Sequence, residues 1–259
     1  MLSPWLNMIK LMRFFIRFIS LILVVLLVLP LVVLFITISQ WINNRRMNKK
    51  VVNYWSRLLC FVCGIKLTVK GKIKQNPVLI VANHVTWLDI PVIHSFKLAG
   101  FVAKAEISKW PLLGWAVKSG ETLFIARGKH ESRKKVLQAI NKRLRRGRSI
   151  AVFPEGKATD GNKMAKFHRQ LMHPAVENNI PIQAIAIKYH KKDGSRNKGI
   201  CFVNNEHFLK NVLRILSIPS CTAELVFCDV IDTTNRNARE AAHLAQKQVE
   251  TELYKNDYM

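Results

Sequence analysis

His84 and Asp89, five positions apart, are the side chains in this chain best suited to moving a proton. They lie in Asn83-His84-Val85-Thr86-Trp87-Leu88-Asp89, directly after the apolar run Val78–Ala82, which reads as a strand. A neutral imidazole held by a carboxylate takes a proton from an alcohol near neutral pH. Neighbours on one helix face are three or four apart, so this spacing calls for His84 in a strand-to-helix turn and Asp89 in the first helical turn. Asp89 is also the first acidic residue of the chain, and every earlier charge is positive, which favours its charged form. A second reading fits the same residues. Thr86 and Asp89 have the outline of a capping box, in which the acid only closes a helix start. With Thr86 as the cap, Pro91 falls beyond the first turn, where proline begins to clash. The spacing leaves both readings open.

Two further segments place chemistry at strand ends. Thr122 to Gly128 ends an apolar run on Arg127, whose planar fork suits bidentate recognition of a phosphate or carboxylate. In so basic a chain, a solvated strand-end arginine fits as well. Ile150-Ala151-Val152-Phe153 runs into Pro154-Glu155-Gly156-Lys157, a tight turn bringing backbone donors and one carboxylate to the end of a sheet. An ordinary turn is the competing account.

The elements that must position these groups begin with an anchor. The chain has 259 residues, and its 41 Lys+Arg against 16 Asp+Glu give a formal charge of +25, which demands an acidic partner. Phe18 to Ser39 is uncharged for 22 residues. As a helix that is roughly 33 Å, enough for a hydrocarbon core. Its length and the absence of a small-residue cleavage site argue against a signal peptide. Pro30 at its centre allows a kinked span or a re-entrant hairpin, and positive residues on both flanks leave orientation open. Met47 to Cys63 sets Val51, Trp55, Leu58, Leu59 and Val62 at helical spacing, as an interfacial helix would. A helix packed on the domain gives the same pattern. The expected division is an anchor with interfacial helix at 1–63 and a catalytic domain at 64–259.

Downstream, β-rich runs recur at Val78–Ala82, Gly100–Ala103, Thr122–Ala126, Ser149–Phe153, Gln183–Tyr189, Ile200–Val203 and Ala223–Val230. Helical patterns at 136–144 and 235–254 lie among them, and Lys191–Ser195 reads as a loop between strands. The alternation predicts an α/β fold, a mixed sheet flanked by helices, with an N-terminal membrane-anchoring helical segment. Ligands of such sheets gather at the carboxyl ends of strands. The five cysteines show no paired metal spacing, since Cys60-Phe61-Val62-Cys63 sits in an apolar stripe with no second such pair, and they read as buried free thiols. A basic helix at 129–148 carries no interleaved aromatics, which argues against nucleic acid as the partner.

In order, Asn83-His84 with Asp89, Phe124-Ile125-Ala126-Arg127, Phe153-Pro154-Glu155-Gly156 and Asn179-Ile180-Pro181-Ile182 resemble the four blocks of the lysophosphatidic acid acyltransferases, within the glycerolipid acyltransferase superfamily. Ala103-Lys104-Ala105-Glu106 and Trp110-Pro111-Leu112-Leu113-Gly114 are similar to the segment between the first two blocks, so the resemblance covers about residues 50 to 230. It implies His84 as the base, Asp89 as its orienting carboxylate, and Arg127 with Lys104 as holders of the acceptor's phosphate. Glu155 and Gly156 would shape the acceptor site. Lys157-Ala158 departs from the family's frequent Thr-Arg; Lys157 can supply charge there but no guanidinium fork.

The activity implied is transfer of a fatty acyl group from acyl-CoA or acyl carrier protein to the free hydroxyl of a lysophospholipid. Lysophosphatidic acid stands first as acceptor and lyso-ornithine lipid second. A non-catalytic, membrane-anchored lipid-binding protein is the alternative of another class. No metal or redox cofactor is implied. The expected partners are the thioester co-substrate, the lyso-lipid and an anionic bilayer surface, at the cell membrane (the inner one in a bacterium) with the catalytic domain on the cytoplasmic face.

Overall fold

The computed structural model describes residues 4–75, 77–110, 114, 117, 122–125, 130–203 and 206–255. The chain opens with a long helix, α1 (Pro4–Leu23) passing through a π-helical turn (Val24–Val28) into α2 (Leu29–Trp41). The π turn sits directly before Pro30, and the wider turn accommodates a ring that would press on the carbonyl four residues back. Pro30 therefore neither ends the helix nor turns it into a hairpin. The reversal comes at Ile42–Asn44, where Asn43 takes a left-handed conformation and the Asn44 side chain caps α3 (Arg45–Val62). Asn7–Trp41 is long and apolar enough to cross a membrane.

Strands β1 (Ile65–Lys70), β2 (Leu79–Ala82), β3 (Gly100–Lys104), β4 (Leu123–Ile125), β5 (Ile150–Val152), β6 (Ile182–His190) and β7 (Cys221–Ile231) form one sheet in the order β1-β7-β6-β2-β5-β3-β4. From β6 to β4 all neighbours are parallel; β7 runs antiparallel to β6, and β1 follows β7. This is the expected mixed sheet. The interior strands are apolar on both sides because both faces are covered, as parallel sheets require. Ile80 and Ala82 face a core shared with Cys60, Leu88, Val92, Ile215 and Leu216, while Leu79 and Val81 face Ile140, Leu144, Ala241 and Ala245. The first layer holds α3, α4 (Asp89–His94) and α7 (Phe208–Ser217). The second holds α5 (His130–Arg145), α6 (His173–Val176) and α8 (Ala238–Tyr254). An alanine row on α8 lets that helix lie close to the sheet, and Asn237 with Glu240 forms a full capping box at its start.

One expectation changes. Ile200–Val203 forms no strand: Ile200 and Cys201 are buried, but their amides close turns onto Asn197 and Lys198, and the Phe202 amide donates to Val85 O at 2.9 Å. Burial, not pairing, explains Ile200 and Cys201, while Val203 is exposed. In α3 the buried row is Asn48, Val52, Ser56 and Cys60, small residues that pack between α2 and α4. The wider apolar stripe from Val51 to Leu59 is half-buried, and Tyr54 and Phe61 are exposed. The five cysteines are unpaired, four of them buried, and burial pushes the Cys63 and Cys201 thiols up to about 12.

α1 is bound to this body. Phe14, Phe18 and Leu21 pack against the first core. Arg13 donates to Ser217 O at 3.2 Å, and Arg17 donates to Ile218 O at 2.8 Å. The two guanidiniums thus satisfy carbonyls at the end of α7, where a helix leaves acceptors without partners. Gly64 makes room for this: its φ is +74°, and a Cβ there would lie 1.8 Å from the Arg17 guanidinium. Gly194 has a similar φ of +83° but open space around it. Left-handed backbone costs a residue with a Cβ roughly 1–2 kcal/mol. We expect Gly194→Ala to show only that cost in chemical unfolding of micelle-bound protein. Gly64→Ala should lose more, the excess measuring the displaced Arg17. Equal losses would mean that α1 contributes nothing through this contact.

Candidate active site

The parallel strands β2, β5 and β6 end at one edge, and the candidate residues collect there. β2 delivers Asn83, whose side-chain amide pairs with β6 as a strand would: Asn83 Nδ2 donates to Ile187 O at 3.0 Å, and Asn83 Oδ1 accepts from Ile187 N at 2.8 Å. That clamp fixes the start of the turn carrying His84. The turn's far end is Asp89, the first residue of α4, with Leu88 as cap. Pro91 is the third residue of α4, inside the first turn, where its missing N–H costs no hydrogen bond.

Asp89 is fully buried. Its Oδ2 lies 2.8 Å from His84 Nδ1 and accepts from Val85 N at 2.8 Å and Thr86 N at 3.0 Å. Its Oδ1 accepts from Tyr189 Oη at 2.8 Å. The two readings of Thr86-x-x-Asp89 are therefore combined on one oxygen. It receives the amide that a capping-box acid receives, and it also holds the imidazole. An ionised carboxylate only accepts, so the proton between them sits on Nδ1 and Nε2 keeps its lone pair. The His84 ring stacks on Phe153 at 4.0 Å between centroids and 12° between planes. Phe153 stacks in turn on Phe101. The His84 side chain is 19% exposed, and among the described residues Nε2 has no hydrogen-bond partner.

The turn after β5 holds His84 from below. Glu155 Oε1 accepts from His84 N at 2.8 Å, and Glu155 Oε2 accepts from Ala165 N at 2.8 Å. Thr159 N donates to His84 O at 2.8 Å. Both backbone groups of His84 are thus fixed by residues of one loop. Glu155 is 4% exposed, and burial pushes its carboxyl up while the two amides draw it back. Gly156, with φ +75°, closes the turn through its amide to Phe153 O at 3.1 Å.

The expected site residues divide accordingly. His84 and Asp89 meet. Glu155 comes to them with an amide on each carboxylate oxygen, which ties it to the backbone of His84 and Ala165. Gly156 shapes that turn, and Lys157 is exposed beyond it. Lys104 is the last residue of β3, with its side chain outside the described residues, and Arg127 lies outside them altogether. Tyr189 was not foreseen. It lies 100 positions from its partner, and nothing in the local sequence of β6 marks it. A cavity of about 50 Å³ lined by Asn83, Glu155, Tyr189 and Cys201 lies behind the turn, too small for an acyl chain.

An acyltransferase family profile matches residues 65–188. The chain is 31% identical to the lyso-ornithine lipid O-acyltransferase of Pseudomonas aeruginosa, over 87% of this chain and 90% of that protein. It is 30% identical to the 1-acyl-sn-glycerol-3-phosphate acyltransferase of Neisseria gonorrhoeae, over 64% and 65% of the two. Its fold is similar to the crystal structure of the 1-acyl-sn-glycerophosphate acyltransferase of Thermotoga maritima, with a TM-score of 0.76, 16% identity and 98% of each chain covered.

Glu155→Gln tests the use assigned to Glu155. The amide has one acceptor oxygen, so either the His84 or the Ala165 amide is left facing a donor, at a cost of roughly 1–3 kcal/mol. Turnover should fall with an unchanged acceptor KM, because only the placement of His84 is disturbed. A raised acceptor KM at unchanged kcat would return Glu155 to the substrate.

Proposed function

The chain is an acyltransferase, a member of the acyltransferase family, and we propose that it moves a fatty acyl group from a thioester to the free hydroxyl of a lyso-lipid, with His84 as general base. The observation that carries this is a half-open imidazole bonded at 2.8 Å to a buried carboxylate. Nε2 of His84 takes the hydroxyl proton as the acceptor oxygen attacks the thioester carbonyl. The tetrahedral intermediate collapses with cleavage of the carbon–sulfur bond, and the thiolate leaves with the proton that His84 returns. Asp89 keeps Nε2 free and stabilises the imidazolium formed between the two steps. The acceptor's own oxygen is the nucleophile, so no acyl-enzyme is required.

The donor is acyl-CoA or acyl carrier protein, both cytoplasmic solutes, which puts the catalytic edge on the cytoplasmic face of the membrane. The outward side of α1 and α2, with Met12, Phe15, Ile16, Ile19, Leu26, Leu27, Leu31 and Leu34 exposed, meets the bilayer. The excess of Lys and Arg favours an anionic surface.

For the acceptor we place a lyso-ornithine lipid first and lysophosphatidic acid second, reversing the order that the resemblance suggested. Two facts support this: Lys157-Ala158 stands where the family frequently carries Thr-Arg, and similarity to a lyso-ornithine lipid O-acyltransferase runs almost end to end. Arg127 with Lys104 then meets the headgroup carboxylate instead of a phosphate. The purified protein in micelles, given each lyso-lipid with acyl-CoA or acyl carrier protein, should form the diacylated ornithine lipid by mass spectrometry. His84→Ala should slow it by about a hundred- to ten-thousand-fold. Product from lysophosphatidic acid alone, weakened by Lys157→Ala, would overturn the acceptor but keep the reaction. Binding without product for any acceptor would favour the lipid-binding alternative.

A further inference from the structure

We propose that Tyr189 is a positioning residue of the catalytic turn: its phenol fixes the Asp89 carboxylate, and through it the orientation and basicity of His84. The proposal rests on the reading of His84 as base and adds a member that neither the motif nor the comparisons assign.

Asp89 has no access to water, so each lone pair that the fold fails to meet carries a desolvation cost. Oδ2 is crowded with three donors from its own turn: His84 Nδ1, Val85 N and Thr86 N. Oδ1 has one donor among the described residues, Tyr189 Oη at 2.8 Å, and that donor comes from a different element. The local turn can satisfy only one edge of the carboxylate. A second point, outside the turn, is needed to stop rotation about the Cβ–Cγ bond from carrying Oδ2 away from His84.

β6 supplies that point with some rigidity. Tyr189 is 4% exposed, pairs with Ala223 of β7, and its carbonyl accepts from Asn197 N at 2.7 Å. Two residues earlier on the same strand, the backbone of Ile187 clamps the Asn83 side chain. One strand therefore grips both ends of the turn, Asn83 before His84 and Asp89 after it. Burial and the adjacent Asp89 charge push the Tyr189 hydroxyl well above its ordinary value, so it remains a donor across the working pH range.

The phenol also withdraws charge from the carboxylate. Without it, Asp89 concentrates more charge on Oδ2, and the imidazolium facing that oxygen becomes more stable.

Tyr189→Phe removes one oxygen and keeps the ring. In the full chain in micelles, kcat should fall about ten-fold with the acceptor KM held within about two-fold, the size expected for one hydrogen bond to a charged group. The acidic limb of the kcat/KM profile should move to higher pH. A 3,5-difluorotyrosine placed at 189 is a stronger donor on the same frame and should move the limb the other way; it also decides the question if the phenylalanine variant does not fold. A loss of melting temperature with kcat and both limbs unmoved would make Tyr189 a packing residue and overturn the proposal. His84→Ala in parallel separates the two failures: if it retains activity the base is wrong, and if it is inactive while both Tyr189 variants match the parent, only the role of Tyr189 is wrong.

Discussion

A carboxylate shut away from water has to be matched donor for donor, and the catalytic edge of this protein is organised around that need at Asp89. Among the described residues four donors converge on it, three from the turn it closes and one from β6. Each of them fixes something other than Asp89. The Val85 and Thr86 amides tighten the turn into α4, the imidazole is held in the tautomer with Nε2 free, and Tyr189 ties the helix start to the sheet. Remove the buried charge and the turn loses its centre. Leave it with too few donors and burial becomes prohibitive.

The same logic explains why Glu155 lies where it does. His84 sits between two loops, and a backbone at the end of a parallel strand has an amide and a carbonyl with no ladder partner. Glu155 takes the amide and Thr159 takes the carbonyl. The family pattern around Glu155 thus encodes support for a residue some seventy positions earlier. The family resemblance, not the turn itself, put Glu155 at the acceptor site. The structure supplies the backbone it serves.

What was legible followed from local chemistry. The strand ends, the turn at His84, the α/β class and the free thiols all come from short-range pattern. β1 was legible too, since Lys66, Thr68 and Lys70 alternate with apolar residues as in a half-buried edge strand, and it was missed among the continuous apolar runs. Ile200–Val203 was misread because Ile200 and Cys201 are apolar for packing under the catalytic turn. Tyr189 was invisible for a different reason: its partner is remote, and the register that joins β6 to β2 is a property of the folded sheet. Arg127 was legible as chemistry, but its place lies outside the described residues.

The long N-terminal helix shows how an anchor and a domain become one object. A free membrane helix needs only an apolar surface on every side, as α2 nearly has. α1 carries instead a second code on its inner face: Phe14 and Phe18 for the core, Arg13 and Arg17 for the carbonyls ending α7. Those arginines are held against protein backbone, which removes them from any demand to reach water through lipid. α7 begins with Phe208, whose ring meets Trp87 inside the catalytic turn at 5.8 Å. A continuous path of contacts therefore runs from the apolar helix through α7 to the residues between His84 and Asp89. Under the proposed reaction the acceptor lies in the bilayer and the base has to stand at a fixed height above that surface. This path would supply the distance, because the apolar helix and the turn that carries His84 are packed on the same short element.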